Sequence, residues 1–168
     1  MIFLAIAAVI VALDQLLKHW VVTHIALGDT LAVWPGVFHL TYIQNTGAAF
    51  SIMQDMRLIL LIITALCVAL ILVFLFRGTL NRICKLSLAF VLGGAIGNAI
   101  DRMLLHYVVD MFEVEFMHYA VFNVADCFVV VGGIAFCIFY YIHSTKMERH
   151  AKKAEVELHD DPNSNSGD

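Results

Sequence analysis

Residues 58–76 read LILLIITALCVALILVFLF, without a single charged side chain. A run of about 18 or more apolar residues is long enough to cross the hydrocarbon core of a bilayer as a helix. This stretch therefore predicts a transmembrane helix. The composition agrees, because 61% of the 168 residues are hydrophobic and only 14% are charged, whereas about a quarter of a typical soluble domain is charged. The chain is predicted to be an integral membrane protein.

Three further runs, residues 1–22, 86–105 and 122–142, also predict membrane spans. Polar groups within the first run, such as Asp14 and Lys18, are expected to face other helices rather than lipid. A cleaved signal peptide is the alternative for this run, but the charged leading segment of such peptides is missing. We therefore expect four transmembrane helices.

The basic residues predict the orientation of these helices. Lys and Arg occur in residues 77–85 and 146–153 but are absent from residues 23–56 and 106–120. Because short cytoplasmic loops carry the excess of Lys and Arg, both termini are expected in the cytoplasm. Residues 1–143 would form one membrane-embedded domain, and the polar residues 144–168 a cytoplasmic tail that is partly disordered. The acidic residues crowd the tail and the loops, so nucleic acid is not an expected partner.

The first outer segment, residues 23–56, is too long for a simple turn. Its residues 37–44, VFHLTYIQ, are rich in β-branched and aromatic side chains, which favours a small sheet lying on the membrane. Turn formers and small residues follow in Asn45-Thr46-Gly47-Ala48-Ala49-Phe50, a composition that lets backbone approach a ligand.

Asp110 and Asp126 lie on either side of a short segment between the third and fourth predicted spans, and they are the strongest indication of function. Neither has a cation one helical turn away in sequence. If they meet in a site of low dielectric constant, both cannot ionise and they share one proton. One carboxylate can then take a proton from water while the other polarises a peptide carbonyl. The alternative is that Asp126 caps its helix and Asp110 merely faces water.

The third predicted span carries Asn98, Asp101 and Arg102 near its outer end. These side chains could hold a peptide carbonyl or a lipid headgroup, or they could form only a charge patch beside closely packed helices. Asp14 and Lys18 are four residues apart on the first helix, and a structural ion pair is the favoured interpretation for them.

Other chemistries find little support in the sequence. There is no HExxH or GxSxG motif, the eight histidines are scattered, and no metal site is predicted. A proton- or ion-coupled transporter that uses the carboxylates as a relay remains the alternative. Such a relay needs acidic groups throughout the bilayer, whereas here they lie at the outer ends of the spans. A structural assembly subunit would explain Gly93 and Gly97 but not the outer polar cluster.

Five short motifs cover nearly the whole chain, and each contains polar residues named above. They are Asp14-Gln15-x-x-Lys18, Asn45-x-Gly47-x-Ala49-Phe50, Gly94-x-x-Gly97-Asn98-x-x-Asp101-Arg102, Val108-Val109-Asp110 and Phe122-Asn123-x-Ala125-Asp126. Taken together and in this order, they resemble the lipoprotein signal peptidases, also called signal peptidase II, which are bacterial aspartic proteases of the inner membrane.

The resemblance implies a mainly α membrane fold of four helices with a small periplasmic β-sheet cradle and a short outer helix. It implies that Asp110 and Asp126 are catalytic and that no cofactor is needed. Around the substrate, or around peptide antibiotics that mimic it, it places Asn45, Gly47, Asn98, Arg102 and Asn123. Supporting roles fall to Asp14, Lys18 and Asp101. The implied substrate is a prolipoprotein whose cysteine already carries diacylglycerol, cut just before that cysteine within the inner membrane, at its periplasmic face and in contact with membrane lipid.

Overall fold

The computed structural model describes residues 1–47, 56–77, 80–117 and 119–159. Its helices are α1 (Ile2–His24), α2 (Arg57–Phe76), α3 (Arg82–Leu104) and α4 (Val124–His159). All four are long and apolar enough to cross a membrane, which confirms the four predicted spans. Helix α4 continues as far as His159, beyond the domain boundary predicted at residue 143.

Helix α3 lies at the centre of the bundle and contacts the other three helices. Half of its span is buried inside the protein, compared with 22% or less for the other spans. Glycines permit the close packing, since Gly93 lies against Ile10 of α1 and Gly94 lies against Ala125 of α4. Helices α1, α2 and α4 surround α3 and expose many aliphatic side chains, as expected for surfaces that face lipid.

A three-stranded antiparallel sheet covers one end of the bundle. Its strands are β1 (Thr30–Trp34), β2 (Phe38–Asn45) and β3 (Val108–Val114), in the order β1-β2-β3. The predicted sheet in the first outer segment is confirmed by β1 and β2. Strand β3 was not predicted, because its run Val-Val-Asp-Met-Phe is short and aspartate is depleted in strands. It places Asp110 opposite Ile43 of β2.

An apolar cluster joins this sheet to the helices. Val21 and Ile25, around the end of α1, pack with Tyr42 of β2 and with Val109 and Met111 of β3. All five side chains are buried. The chain on both sides of Asp110 is therefore fixed against α1, and the carboxyl group of Asp110 is held at the junction of sheet and bundle.

The predicted fold class, a mainly α membrane protein with a small sheet, is confirmed. No helix besides these four occurs in the part of the chain that the structure describes. Residues 48–55 of the first outer segment, which include Ala49 and Phe50 of the second motif, lie outside that part.

Candidate active site

Asp110 and Asp126 line the same cavity, although they belong to different elements. Asp110 lies in β3 and Asp126 in the first turn of α4, and the cavity between them has a volume of about 200 Å³. Three of the other polar residues singled out in the sequence also line it: Asn45, Asn98 and Arg102. The structure thus brings residues of β3, of α3, of the start of α4 and of residues 23–56 to one cavity.

Asp110 is almost completely withdrawn from solvent, with 2% of its surface exposed. Its Oδ2 accepts a hydrogen bond of 2.9 Å from the amide of Asn45, and its Oδ1 accepts one of 2.6 Å from the amide of Asn123. Burial raises the pKa of this carboxyl from 3.8 to about 6; the hydrogen bond from Asn45 opposes the rise, and the charge of Asp126 adds to it. Asp110 therefore does not merely face water.

Asp126 is half-buried and has two sets of partners. Its Oδ1 accepts a hydrogen bond of 2.8 Å from the amide of Asn98, and its Oδ2 accepts one of 3.2 Å from the backbone N–H of Asn123. In return, the backbone N–H of Asp126 donates to Oδ1 of Asn123 at 2.9 Å. This reciprocal pair is a capping box at the start of α4. Asp126 thus caps its helix and also lines the cavity, two arrangements that the sequence left as alternatives.

Asn98 and Asn123 connect the two aspartates. The amide nitrogen of Asn123 donates to Oδ1 of Asp110 and also to Oδ1 of Asn98, at 3.1 Å. The amide nitrogen of Asn98 donates to Asp126, while its oxygen also accepts from Lys18 at 2.9 Å. Because each oxygen accepts and each nitrogen donates, this chain of contacts fixes the orientation of both amides.

Arg102 joins α3 to the first outer segment. Its Nη2 donates to the carbonyl oxygen of Gly47 at 2.9 Å, and its Nη1 donates to the carbonyl oxygen of Asn98 at 3.4 Å. The backbone N–H of Gly47 in turn donates to Oδ1 of Asn45 at 2.9 Å. This hydrogen bond between residues two positions apart stabilises the turn after β2. The Nε–H group of Arg102 is buried and has no hydrogen-bond partner among the described residues.

Behind the cavity lies a buried ionic cluster. Lys18 contacts Asp14 and Asp101, each at 2.9 Å, and all three side chains are at most 3% exposed. Asp14 also accepts a hydrogen bond from the backbone N–H of Ala125, and Asp101 accepts one from that of Val109. The ion pair expected from the spacing of Asp14 and Lys18 forms, but Lys18 also contacts a carboxylate on α3, which the sequence did not reveal.

Two parts of this region were not predicted from the sequence. Gln15 hydrogen-bonds to the same ionic cluster, donating to Asp101 at 2.8 Å, and the signal for it was its place between two polar motif residues. One wall of the cavity is formed by residues 119–122, just before the last motif. These residues are mainly apolar, as is usual in ligand cavities, and they gave no signal of their own.

The described residues contain no group of three or more His, Cys, Asp or Glu side chains that could hold a metal ion. The buried carboxylates in this part of the chain, Asp14, Asp101 and Asp110, belong to one connected polar region, together with half-buried Asp126. This clustering does not provide the path through the bilayer that a proton relay requires.

Known proteins resemble this chain over most of its length. The family described as "Signal peptidase (SPase) II" matches residues 6–142. Proteins named lipoprotein signal peptidase from Streptococcus pyogenes serotypes M2 and M5 are 45% and 44% identical over 138 residues, which cover 82% of this chain and 91% of each relative.

Two solved structures share the fold. Both are described as bacterial membrane enzymes studied by the in meso method, at 2.3 and 1.9 Å resolution. They superpose with TM-scores of 0.81 and 0.75 and are 27% and 29% identical. They cover 86% and 81% of this chain, and the match includes 90% of each solved chain.

Proposed function

Because the chain belongs to the signal peptidase II family and is therefore a multi-pass bacterial membrane protease, we propose that it cuts diacylglyceryl-modified prolipoproteins immediately before the lipidated cysteine. The observation that carries this proposal is the single cavity lined by Asp110 and Asp126. In this proposal the two carboxyl groups form a catalytic pair that activates water directly.

Asp110 is the member that holds the proton. Its burial, which raises its pKa to about 6, lets it keep a proton to a higher pH than an ordinary aspartate does. A neutral carboxyl can donate a hydrogen bond to the carbonyl oxygen of the scissile peptide and stabilise the negative charge that develops there. The amides of Asn45 and Asn123 each donate to one oxygen of Asp110 and hold the carboxyl group in place, while both hydrogen bonds limit the rise of its pKa.

Asp126 is the ionised member and the general base. It is less buried than Asp110, lines the cavity, and accepts hydrogen bonds from Asn98 and Asn123 that orient its carboxyl group. Arg102 lines the same cavity and adds a positive charge beside Asp126.

The reaction follows from these two states. Asp126 takes a proton from water, the oxygen attacks the carbonyl carbon, and Asp110 hydrogen-bonds the oxyanion of the tetrahedral intermediate. The proton on Asp126 then passes to the amine of the lipidated cysteine as the peptide bond breaks. A proton leaves water in the first step and reaches the amine in the second, so both carboxyl groups return to their starting states.

Asn45, Gly47, Asn98, Arg102 and Asn123 hold the substrate around the pair. Arg102 supports this assignment most directly, because its buried Nε–H has no partner among the described residues and it lines the cavity. A peptide carbonyl is a suitable acceptor for such a donor. Peptide antibiotics that mimic the substrate would occupy the same cavity.

The bilayer contributes to specificity. A diacylglyceryl group buries its acyl chains in one leaflet, so the peptide bond beside it is held near the depth of the headgroups. The cavity lies where the sheet meets the helix bundle, and the distribution of Lys and Arg supports a periplasmic location for this end. Residues 1–143 would then be the peptidase domain, and residues 144–168 a cytoplasmic tail.

Single substitutions of the two aspartates test the proposal. Asp110→Asn and Asp126→Asn should each lower cleavage of a diacylglyceryl-modified prolipoprotein by at least about 10³-fold, because the first removes the carboxyl proton that stabilises the oxyanion and the second removes the general base. Asp29→Asn is the matched control, since Asp29 is an exposed outer carboxylate that does not line the cavity. Cleavage by purified protein would be followed as a gel shift. Processing by either cavity variant at the rate of the Asp29→Asn control would refute the catalytic pair.

A further inference from the structure

The ionic cluster behind the cavity reaches both aspartates through the backbone. Asp14 accepts a hydrogen bond of 2.9 Å from the N–H of Ala125, the residue before Asp126. Asp101 accepts one of 3.1 Å from the N–H of Val109, the residue before Asp110. Both bonds are buried. Each member of the pair is thus preceded by a residue whose backbone N–H donates to a buried carboxylate, from α1 in one case and from α3 in the other.

Gln15 and Lys18 connect these two carboxylates. Lys18 contacts Oδ2 of Asp14 and Oδ2 of Asp101, each at 2.9 Å. The amide of Gln15 donates to Oδ1 of Asp101 at 2.8 Å and to Oδ2 of Asp14 at 3.3 Å, and it also donates to the carbonyl oxygen of Gly97 at 3.2 Å. Both side chains lie one helical turn or less from Asp14 on α1.

This arrangement has an electrostatic consequence. Asp14 and Asp101 are both buried and repel one another, and Lys18 supplies the positive charge between them. Unpaired charges inside a protein are strongly unfavourable, so each carboxylate stays close to the bridge. The distance between them, and between the two backbone amides that they hold, is therefore set by Gln15 and Lys18.

We propose that Gln15 and Lys18 are positioning residues of the peptidase, which fix the separation of the Asp110 and Asp126 carboxyl groups by bridging Asp101 to Asp14. The inference rests on the proposed function, because it takes Asp110 and Asp126 as the catalytic pair. Neither bridging residue lines the cavity between the two carboxyl groups. Both act through the backbone of β3 and of α4, and Lys18 also donates to the amide oxygen of Asn98, whose nitrogen donates to Asp126.

The variant Gln15→Met tests the bridge, because methionine is similar in length but donates no hydrogen bond. Without the amide, repulsion between Asp14 and Asp101 is less well opposed. The two carboxylates, and the backbone of α4 and β3 that they hold, should therefore move apart. Turnover, kcat, should fall on the order of tenfold, because small displacements of reacting groups are costly, while KM changes by less than about twofold. The matched control is Leu16→Met, at a neighbouring position that is 67% exposed.

The pH dependence separates positioning from a purely structural effect. The charged groups around the pair are Asp14 and Lys18 of α1 and Asp101 and Arg102 of α3, and the other titratable groups beside Asp126 are Cys127 of α4 and Tyr119. A larger separation weakens the repulsion within the pair, so the alkaline limb of kcat/KM should move to lower pH. A mere loss of folded enzyme would lower the rate equally at every pH.

The outcomes are distinct. A fall in kcat with a shifted limb supports the bridge, whereas wild-type kinetics, or a fall in kcat with the limb in its original place, overturns it. If Gln15→Met does not fold, Gln15→Asn serves instead, because it keeps the amide but is too short to span both carboxylates, and the same shift is expected. The same assay also measures Asp126→Asn. If this variant cleaved the substrate at the wild-type rate, the proposed function itself would fail.

Discussion

At the scale of single residues, Asp110 combines two properties that oppose each other. Its burial destabilises the carboxylate, while the amides of Asn45 and Asn123 hold both of its oxygens in place. The net effect is a pKa raised to about 6. A carboxyl group with such a pKa is a better general acid near neutral pH than an ordinary aspartate, but the folded protein becomes less stable when this group ionises.

The first prediction concerns the pH dependence of cleavage. Because kcat/KM reports the free enzyme and requires a protonated Asp110, it should fall as the pH rises through about 6. In Asn45→Ala the hydrogen bond that lowers this pKa is lost, so the alkaline limb should move to higher pH. Initial rates between pH 4.5 and 8.5 would measure the alkaline limb of the wild type and that of Asn45→Ala. A flat profile for the wild type, or a limb that stays in place in Asn45→Ala, would contradict the assignment.

The second prediction concerns stability. Folding raises the pKa of Asp110 from 3.8 to about 6, so this group contributes stability below its unfolded pKa that is lost as the pH rises through its folded pKa. The loss amounts to about 3 kcal/mol. The variant Asp110→Asn has no carboxyl group at this position, so it should not lose this stability as the pH rises. Its thermal midpoint in detergent, relative to wild type, should therefore rise between pH 4 and pH 7. A difference that does not depend on pH would show that Asp110 does not carry this cost.

Much of the site was predictable at this scale, because a carboxylate beside a membrane span is rare enough to indicate function. Asp110 and Asp126 were singled out on that ground, and both line the cavity. The contacts of Asn123 with Asp110 and of Lys18 with Asp101 were not predictable. They depend on how α1, α3, α4 and β3 meet, and no local pattern specifies that.

At the scale of elements, α3 determines how closely α4 approaches the cavity. A methyl group on Gly94 would collide with the carbonyl oxygen of Ala125, the residue before Asp126. A methyl group on Gly97 would lie 2.6 Å from the carboxylate of Asp14. The glycines of α3 therefore permit close packing against the residues that support the aspartate pair.

The third prediction compares two glycines. Gly94→Ala should destabilise the protein by about 1–3 kcal/mol and lower cleavage, because α4 must move to admit the methyl group. Gly133→Ala on α4 is the control, since no atom lies within 4 Å of the added Cβ, and the better helix propensity of alanine should raise stability by up to about 1 kcal/mol. Thermal unfolding in detergent would measure both. Equal effects of the two substitutions would argue against close packing at Gly94.

Strand β3 shows why the elements were only partly predictable. The helices are predictable from the length and hydropathy of their sequences, because few structures other than a membrane span contain such long apolar runs. Strand β3 is short and is completed by hydrogen bonds to β2, which lies far away in sequence. Its backbone also pairs with Phe122, just before α4. Pairing over such distances determines the position of Asp110 and leaves little trace in the local sequence.

At the scale of the whole molecule, the proposal requires a defined orientation in the membrane. The fourth prediction uses cysteines introduced into a variant without Cys67, Cys84, Cys127 and Cys137. A membrane-impermeant maleimide added to intact cells should label Asp29→Cys but not Lys146→Cys, because the two exposed positions are expected on opposite sides. Labelling of Lys146→Cys from outside would place the cavity on the cytoplasmic face and contradict the proposed access of substrate.

The most direct test of the central claim compares one prolipoprotein with and without its diacylglyceryl group. Purified protein in lipid would be incubated with each form, and mass spectrometry would identify the new N-terminus. We predict cleavage of the modified form alone, immediately before the lipidated cysteine, with no product from Asp126→Asn. Equal cleavage of the unmodified form, a cut at another position, or product from Asp126→Asn would contradict a lipid-dependent peptidase that works through its pair of aspartates.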